Sequence, residues 1–119
     1  MSIERIEAGP RMSQAVVHGD TVYLAGVVAD ERAGTSPAEQ TAQILARIDA
    51  LLAQAGSDKS RLLTATIWLR DMAFYDALNS VWDKWVVPGQ TPARACVESR
   101  MAAPDILVEI QVTAARGQS

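Results

Sequence analysis

Apolar residues recur every three or four positions in two stretches of the chain, the spacing typical of helices that bury one side. The first stretch opens with Ser36 as N-cap, Pro37 in the first turn and Glu39 three residues after the cap, a combination that marks a helix start. Gly56 and the serine after it end the stretch, which predicts a helix of about 19 residues. The side predicted to pack in the core consists of Ile44, Leu45, Ile48, Leu51, Leu52 and Ala55.

A second helix is predicted to run from Asp71, a suitable cap, to about Val86, where Pro88 and Gly89 follow. Aromatic residues at helical spacing are far more often core residues than part of a cofactor site. We therefore interpret the aromatic residues of this helix as packing groups. Its buried side is predicted to consist of Phe74, Leu78, Val81, Trp82 and Trp85.

Three segments alternate in the manner of strands. Residues 13–17 and 21–28 are separated by residues 18–20, whose glycine and aspartate suit a tight reversal. Gly26 lies inside the second segment, where a missing side chain indicates either a bulge or room for a ligand. In residues 62–69, the side chains predicted to point inward are Leu63, Ala65, Ile67 and Leu69.

Two further strands are predicted at residues 92–98 and 106–112, and we expect them to pair as a hairpin through residues 100–105. Residues two apart share one face of a strand. A register that puts Val97 beside Val108 and Ile110 would gather Arg94, Cys96 and Glu109 on the opposite face.

Both helices are expected to cover one face of the sheet, formed by Leu63, Ile67, Val97, Val108 and Ile110. The other face would carry Trp68, Cys96, Leu107 and Thr113, which are too apolar for a merely wetted surface. We therefore expect the sheets of several subunits to meet on this second face.

The length and composition of the chain exclude several classes of function. The 119 residues are predicted to form a single domain, 1–119. The net charge is −3 and no window concentrates lysine and arginine, so nucleic acid is not expected as a partner. One histidine and one cysteine cannot form the usual metal sites or an intrachain disulfide. The longest apolar run, residues 22–29, is too short for a membrane span and the start lacks a signal region, so we expect a cytoplasmic protein.

The last two strands carry a resemblance to a known family. Residues 89–99, Gly-Gln-Thr-Pro-Ala-Arg-Ala-Cys-Val-Glu-Ser, and residues 107–115, Leu-Val-Glu-Ile-Gln-Val-Thr-Ala-Ala, resemble the signature of the RidA/YjgF family of imine and enamine deaminases, also called L-PSP endoribonuclease-like. The resemblance extends to residues 15–26, residues 56–61 and Asn79. It implies an α/β fold of the α+β type, like that of chorismate mutase, with a mixed six-stranded sheet and two helices on one face. It also implies a homotrimeric barrel with three ligand clefts between subunits.

The resemblance further implies the roles of individual residues. Arg94 would hold the carboxylate of a 2-imino or 2-enamino acid, because a planar guanidinium binds a carboxylate through two parallel charge-assisted hydrogen bonds. Glu109 would position or activate the hydrolytic water. No cofactor or metal is implied, and the partner would be a small carboxylate substrate. The remaining substrate-binding positions would be Ala95, Cys96, Gly26, Met12 and Asn79.

Some positions depart from the family pattern. Where related members carry Gly-Pro-Tyr-Ser-Gln, residues 9–14 read Gly-Pro-Arg-Met-Ser-Gln, with an extra residue and no tyrosine. Ala25 and Val27 flank Gly26 where members often carry serine and glutamine. These changes fall on the wall expected to receive the substrate's side chain, so the chain resembles a divergent subfamily that retains the arginine.

Alternative interpretations stay open for these residues. Arg94 and Glu109 could form an ion pair between subunits, and Cys96 could be a small buried hydrophobe. For the whole chain, we predict hydrolysis of reactive 2-imino or 2-enamino acids to 2-keto acids and ammonia. A module that binds a small carboxylate such as a keto acid without chemistry is the alternative. An endoribonuclease is a weaker alternative, because the acidic balance and the lack of a histidine pair give no reason to hold a phosphodiester.

Overall fold

The computed structural model describes residues 2–117, and the ends of the predicted domain, residue 1 and residues 118–119, lie outside that range. Two α-helices lie among seven strands, and a short 3-10 turn precedes β5 and another precedes α2. The elements in chain order are β1 (Ile3–Ala8), β2 (Ser13–His18), β3 (Thr21–Leu24), β4 (Val27–Val28), α1 (Pro37–Gln54), β5 (Leu62–Leu69), α2 (Tyr75–Trp85), β6 (Ala93–Glu98) and β7 (Val108–Ala115).

All the strands belong to one mixed sheet. Its main path contains six strands in the order β1-β2-β3-β7-β5-β6, and the two-residue strand β4 pairs with β7 beside it. Every neighbouring pair is antiparallel except β5 and β6. This architecture confirms the predicted mixed sheet with two helices. The alternation did not reveal β1, because β1 is exposed on both of its faces apart from the half-buried Ile6.

Helix α1 forms as the sequence predicts. The hydroxyl of Ser36 accepts a hydrogen bond from the main-chain nitrogen of Glu39, and the Glu39 carboxylate accepts one from the main-chain nitrogen of Ser36. These reciprocal bonds satisfy donors that a helix start otherwise leaves free. Each of the six residues predicted for its apolar side is buried in the core.

Helix α2 begins with a 3-10 turn, Met72–Phe74, whose Ala73 nitrogen donates to the Asp71 side chain. The predicted cap, Asp71, therefore caps this turn, whereas α2 itself starts at Tyr75 without a side-chain cap. Leu78, Trp82 and Trp85 are buried. Phe74 and Val81 are partly buried against the same core, as predicted.

Leu63 of β5 does not point into the core as strict alternation along the strand predicts. Ala65, Ile67 and Leu69 are buried as predicted, but Leu63 is 46% exposed and its neighbour Leu62 is buried. The register with β7 shifts between Leu62 and residue 64. A bulge at this point places an extra residue in one strand and reverses the parity of the residues before it.

The predicted hairpin between the last two strands is wrong. β5 lies between β6 and β7, parallel to β6 and antiparallel to β7. The connecting segment crosses the end of β5, where Arg70 donates to the carbonyls of Ala103 and Ile106. Hairpin loops usually have about two to five residues, whereas the segment between Glu98 and Val108 is long enough to pass over a strand.

The predicted orientation of β6 is also wrong. Val97, placed on the helix face by the hydrophobic pattern, pairs with Trp68 and is 46% exposed on the face that the helices leave open. Arg94 and Cys96 pair with the buried residues Ala65 and Ile67 and therefore face the helices. Of the set predicted for the open face, Trp68 and Thr113 alternate with buried neighbours and do face that way. Leu107 and Cys96 instead pack against the core.

Candidate functional site

Arg94 lies on the edge strand β6 and points toward α2. Its Nη1 donates to Oδ1 of Asn79 over 2.8 Å, and its Nη2 donates to the hydroxyl of Tyr75 over 3.0 Å. The guanidinium carbon lies 5.4 Å from the centre of the Trp82 ring and 5.7 Å from that of Tyr75, within range for cation–π attraction. Two hydrogen bonds and two aromatic rings thus hold this guanidinium in place.

Among residues 2–117, no acidic side chain pairs with Arg94 to neutralise its positive charge. Within residues 2–117 the ion pairs involve other arginines, at positions 32, 47, 61 and 116. Both hydrogen-bond partners of Arg94 are neutral groups, an amide oxygen and a phenol oxygen. The guanidinium therefore keeps a full charge that an anionic ligand can bind.

Cys96 lies two residues after Arg94 on the same side of β6 and is half-buried. Burial raises the pKa of the Cys96 thiol, and the positive charge of Arg94 offsets part of that rise. The group is therefore a neutral thiol at pH 7, and a neutral thiol is a poor nucleophile. Ala95, between the two, alternates to the open face.

Glu98 continues the same side of β6 as Arg94. Its carboxylate accepts a hydrogen bond of 2.9 Å from the main-chain nitrogen of Met72, at the start of the turn that leads into α2. An acid at this position satisfies a free helix-start donor. Glu98 therefore fixes the first turn of α2 against β6, the strand that carries Arg94.

Glu109 lies on β7, on the open face of the sheet, in a row with Trp68 of β5 and Val28 of β4. The sheet is interrupted next to it, between β3 and β4, where Gly26 lies. A Cβ atom at Gly26 would lie only 2.2 Å from Oε2 of Glu109. The missing side chain at Gly26 therefore makes room for the Glu109 carboxylate, and burial raises the pKa of that carboxyl group.

Gln111, two residues after Glu109, also fills this interruption. Its amide nitrogen donates to the main-chain oxygen of Leu24 over 3.1 Å. Met12 and Gly26 line a common cavity of about 480 Å³ that also reaches Gln14 and Arg47. Two of the predicted substrate-binding residues, Met12 and Gly26, thus line one cavity.

The predicted site residues fall into two groups that do not meet within one chain. Arg94, Asn79 and Cys96 lie on the helix side of β6, whereas Glu109 and Gly26 lie on the open face. The strands β6 and β7 are separated by β5, a distance of about 10 Å between strand axes. The expected gathering of Arg94, Cys96 and Glu109 on one face is therefore wrong, and an ion pair between Arg94 and Glu109 of the same chain is excluded.

Sequence reasoning missed two residues of the arginine cluster. Tyr75 had no predicted role, and Trp82 was interpreted only as packing, although it is also the ring next to Arg94. Tyr75, Asn79 and Trp82 lie four and three residues apart, on one stripe of α2. The polar residue Asn79 between two aromatic residues on one side of α2 was the sequence signal that could have revealed this binding surface.

Two absences are established for the described part of the chain. Among residues 2–117, no group of three or more histidine, cysteine, aspartate or glutamate side chains could hold a metal ion. Neither of the helices described is long and apolar enough to cross a membrane.

The sequence profile of the family described as Endoribonuclease L-PSP matches residues 2–116 of the chain. The chain belongs to this family. The RutC family protein YoaB of Escherichia coli strain K12 is 44% identical over 115 residues, which cover 97% of this chain and 99% of that protein. A RutC family protein of Haemophilus influenzae is 43% identical and covers 96% of this chain and 98% of its own length.

A solved structure shares the fold of this chain. The crystal structure of NMB1025, a member of the YjgF protein family from Neisseria meningitidis, superimposes with a TM-score of 0.97 at 48% identity. The superposition covers 100% of this chain and 98% of the other. The resemblance to the RidA/YjgF family, first seen in residues 89–99 and 107–115, is therefore confirmed.

Proposed function

We propose that the protein hydrolyses reactive 2-imino and 2-enamino acids to 2-keto acids and ammonia, without a cofactor, at clefts between the subunits of a homotrimer. The observation that carries the proposal is the Arg94 cluster, in which a fully charged guanidinium is held by the neutral groups of Asn79 and Tyr75. An anion is the ligand that this arrangement favours, and a flat carboxylate matches the geometry of the guanidinium.

Glu109 is the proposed acid–base group, supplied by a neighbouring subunit. The carboxylate takes a proton from water as the water oxygen bonds to the imine carbon, and the π electrons of the C=N bond move to nitrogen. Glu109 then returns the proton to the nitrogen, which gives a carbinolamine. The carboxylate next takes the proton of the carbinolamine hydroxyl and passes it to the amino group, so that the C–N bond breaks, ammonia leaves and the keto group forms. An enamine first gains a proton at its β-carbon and loses one from its nitrogen to give the imine. The raised pKa of the Glu109 carboxyl brings it nearer to neutral pH, which suits a group that takes and returns a proton.

Hydrolysis is tested by following imines generated in solution from several amino acids by an amino-acid oxidase. We expect the wild-type protein to accelerate imine decay and Arg94→Ala and Glu109→Gln to abolish the acceleration. Arg100→Ala is the matched control, because Arg100 is exposed in the segment between β6 and β7, away from the cluster. Equal rates for wild type and Arg94→Ala would refute the proposal.

A binding module for small carboxylates is the second candidate. The observation that favours it is that the anion site around Arg94 is assembled within one chain, whereas Glu109 lies on the opposite face. This candidate predicts saturable binding of a keto acid together with unchanged imine decay. Ribonuclease activity, which the family description names, is assayed with the same variants and is expected to be absent, because the chain carries a net charge of −3.

A further inference from the structure

The hydroxyl of Tyr75 is the one group near Arg94 that neither the sequence pattern nor the proposed chemistry requires. Tyr75 is the first residue of α2 and is 37% exposed. Its phenol oxygen accepts a hydrogen bond from Nη2 of Arg94, and its ring lies beside the guanidinium. The side chain therefore contacts the guanidinium both through its oxygen and through its ring.

Some N–H donors of the Arg94 guanidinium remain free to bind a ligand. A guanidinium has five N–H donors, and Asn79 and Tyr75 accept two of them. The remaining donors are on Nε, Nη1 and Nη2, one on each. The amide nitrogen of Asn79 and the hydroxyl of Tyr75 are themselves donors. The cluster thus presents donors to a ligand, which favours a group made of acceptors, such as a carboxylate.

The backbone fixes Tyr75 in this position. Glu98 accepts a hydrogen bond from the nitrogen of Met72, three residues before Tyr75. Since Glu98 and Arg94 lie on the same side of β6, one strand holds both the start of α2 and the guanidinium that the Tyr75 hydroxyl contacts. The contact between Tyr75 and Arg94 is therefore part of the packing of α2 on β6.

We propose that Tyr75 is a positioning residue for the carboxylate anchor. By holding Nη2, its hydroxyl fixes the rotation of the Arg94 guanidinium, so that a carboxylate meets donors that are already oriented. An arginine side chain otherwise loses rotamer entropy when a ligand immobilises it, and this loss is a cost to binding. With Tyr75 in place, part of that cost falls on folding rather than on binding. This inference rests on the anion site that the proposed function assigns to Arg94.

The test is the affinity for pyruvate, measured by calorimetry, with pyruvamide as the uncharged probe. Tyr75→Phe keeps the ring and removes the hydroxyl. Because the cost of ordering the Arg94 guanidinium then falls on binding, we expect pyruvate to bind roughly tenfold more weakly to this variant. In the hydrolysis assay, KM should rise by a similar factor while kcat stays within about twofold. Ser80→Ala removes another hydroxyl of α2, one that donates within the helix to the carbonyl of Ala77, and should change neither value.

A double-mutant cycle shows whether Tyr75 acts through Arg94. In the Arg94→Lys background, which has no planar fork to orient, Tyr75→Phe should change the affinity by less than about twofold. An equal loss in both backgrounds, a drop in kcat with constant KM, or an unchanged affinity of the single variant would each overturn the positioning role. Melting temperatures of the variants identify any loss that comes from unfolding.

Failure of this inference is distinguishable from failure of the proposed function. If the wild type binds pyruvate but does not accelerate imine decay, hydrolysis is refuted, and the pyruvate measurements still decide the role of Tyr75. If the wild type hydrolyses imines and Tyr75→Phe is unchanged, only the positioning role is refuted. A wild type that binds pyruvate and pyruvamide equally, or neither, overturns both.

Discussion

At the scale of single residues, the geometry around Gly26 makes a sharp prediction. A Cβ at this position would overlap Oε2 of Glu109, so Gly26→Ala must displace the carboxylate. The displaced atom is the end of a flexible side chain, and we expect the melting temperature to change little. Imine hydrolysis should fall by more than about tenfold, because a misplaced catalytic group loses its alignment with the substrate.

Gly9→Ala is the matched control for Gly26→Ala. A Cβ at Gly9 would lie 3.4 Å from the main-chain oxygen of Met12, an ordinary van der Waals contact. This variant should keep both stability and activity. A Gly26→Ala protein with full activity would show that the position of the Glu109 carboxylate does not matter for the reaction.

Glu109 also predicts how the protein responds to pH. Burial raises the pKa of its carboxyl group above the usual value, which is about 4.3 for glutamate. The ionised form is the proposed base, so activity should fall as the pH drops through the raised pKa, at a higher pH than for an exposed glutamate. A pH–rate profile of kcat/KM measures this limb. A limb at or below the usual glutamate pKa would contradict the assignment.

The same pKa shift has a consequence for stability. At pH values between the pKa of Glu109 in the unfolded state and its higher pKa in the folded state, the native state binds more protons than the unfolded state. The contribution of Glu109 to the free energy of unfolding is therefore fully present below the unfolded pKa and is lost as the pH rises through the folded pKa. Glu109→Gln removes this titration. Denaturant unfolding of the two proteins should therefore differ least at low pH, and the glutamine variant should gain relative stability above the folded pKa.

At the scale of elements, the sequence predicted the helices better than the strand pairing. The cap at Ser36 and the apolar spacing of α1 depend on residues close in the chain, and both are confirmed. The place of β7 between β3 and β5 depends on contacts across the whole chain. Alternation shows which residues share a face, but it does not show which strand lies next to which.

The error at β6 had a particular cause. Its two faces were Arg94, Cys96 and Glu98 on one side and Ala95 and Val97 on the other, and the apolar set was assigned to the core. In the structure the polar set faces the helices, since Asn79, Tyr75 and the start of α2 provide partners for Arg94 and Glu98. At the edge of a sheet, hydrogen-bond partners on a neighbouring helix thus outweighed the apolar pattern. This error separated Arg94 from Glu109.

Gln40 of α1 holds two loops that lead to the site, and the hydrophobic pattern gave no sign of it. Its side chain is fully buried. Its amide nitrogen donates to Thr35 and to the carbonyl of Asp105, and its amide oxygen accepts a hydrogen bond from the main-chain nitrogen of Leu107. Leu107 immediately precedes β7, the strand of Glu109.

Gln40→Leu is therefore expected to destabilise the protein. It removes the side-chain partner of the Asp105 carbonyl and of the Leu107 N–H, two partly buried hydrogen bonds, at a cost of roughly 1 to 3 kcal/mol in the free energy of unfolding. Gln43→Leu on the same helix is the control, because the Gln43 amide bonds to the main chain of Glu31 near the surface, and its loss should cost at most about 1 kcal/mol. Equal effects in urea unfolding would show that the buried bonds of Gln40 are not the cause.

At the scale of the whole molecule, the two faces of the sheet differ in a way that matters for assembly. The helices bury one face, while the face they leave open carries Val97 and Tyr23, 46% and 47% exposed, and the half-buried Trp68. Apolar groups gathered on one exposed face favour contact with another protein surface. The proposed trimer would bury this face and could bring Glu109 of one subunit toward Arg94 of the next.

A site shared between subunits predicts complementation. Arg94→Ala and Glu109→Gln should each be inactive alone, because every cleft lacks one of the two groups. When equal amounts are unfolded together and refolded, mixed trimers contain clefts with an intact arginine from one variant and an intact glutamate from the other. In a ring with directional contacts, about a quarter of the clefts regain both groups, so about a quarter of wild-type activity should return. Each variant refolded alone is the control, and light scattering checks for three copies of the 12.8 kDa chain. The mixture could instead remain as inactive as its components, although it is trimeric and its subunits have exchanged. That result would mean that no cleft combines Arg94 and Glu109 from different chains. Because the two residues lie on opposite faces of one chain, it would refute the proposed hydrolytic pairing.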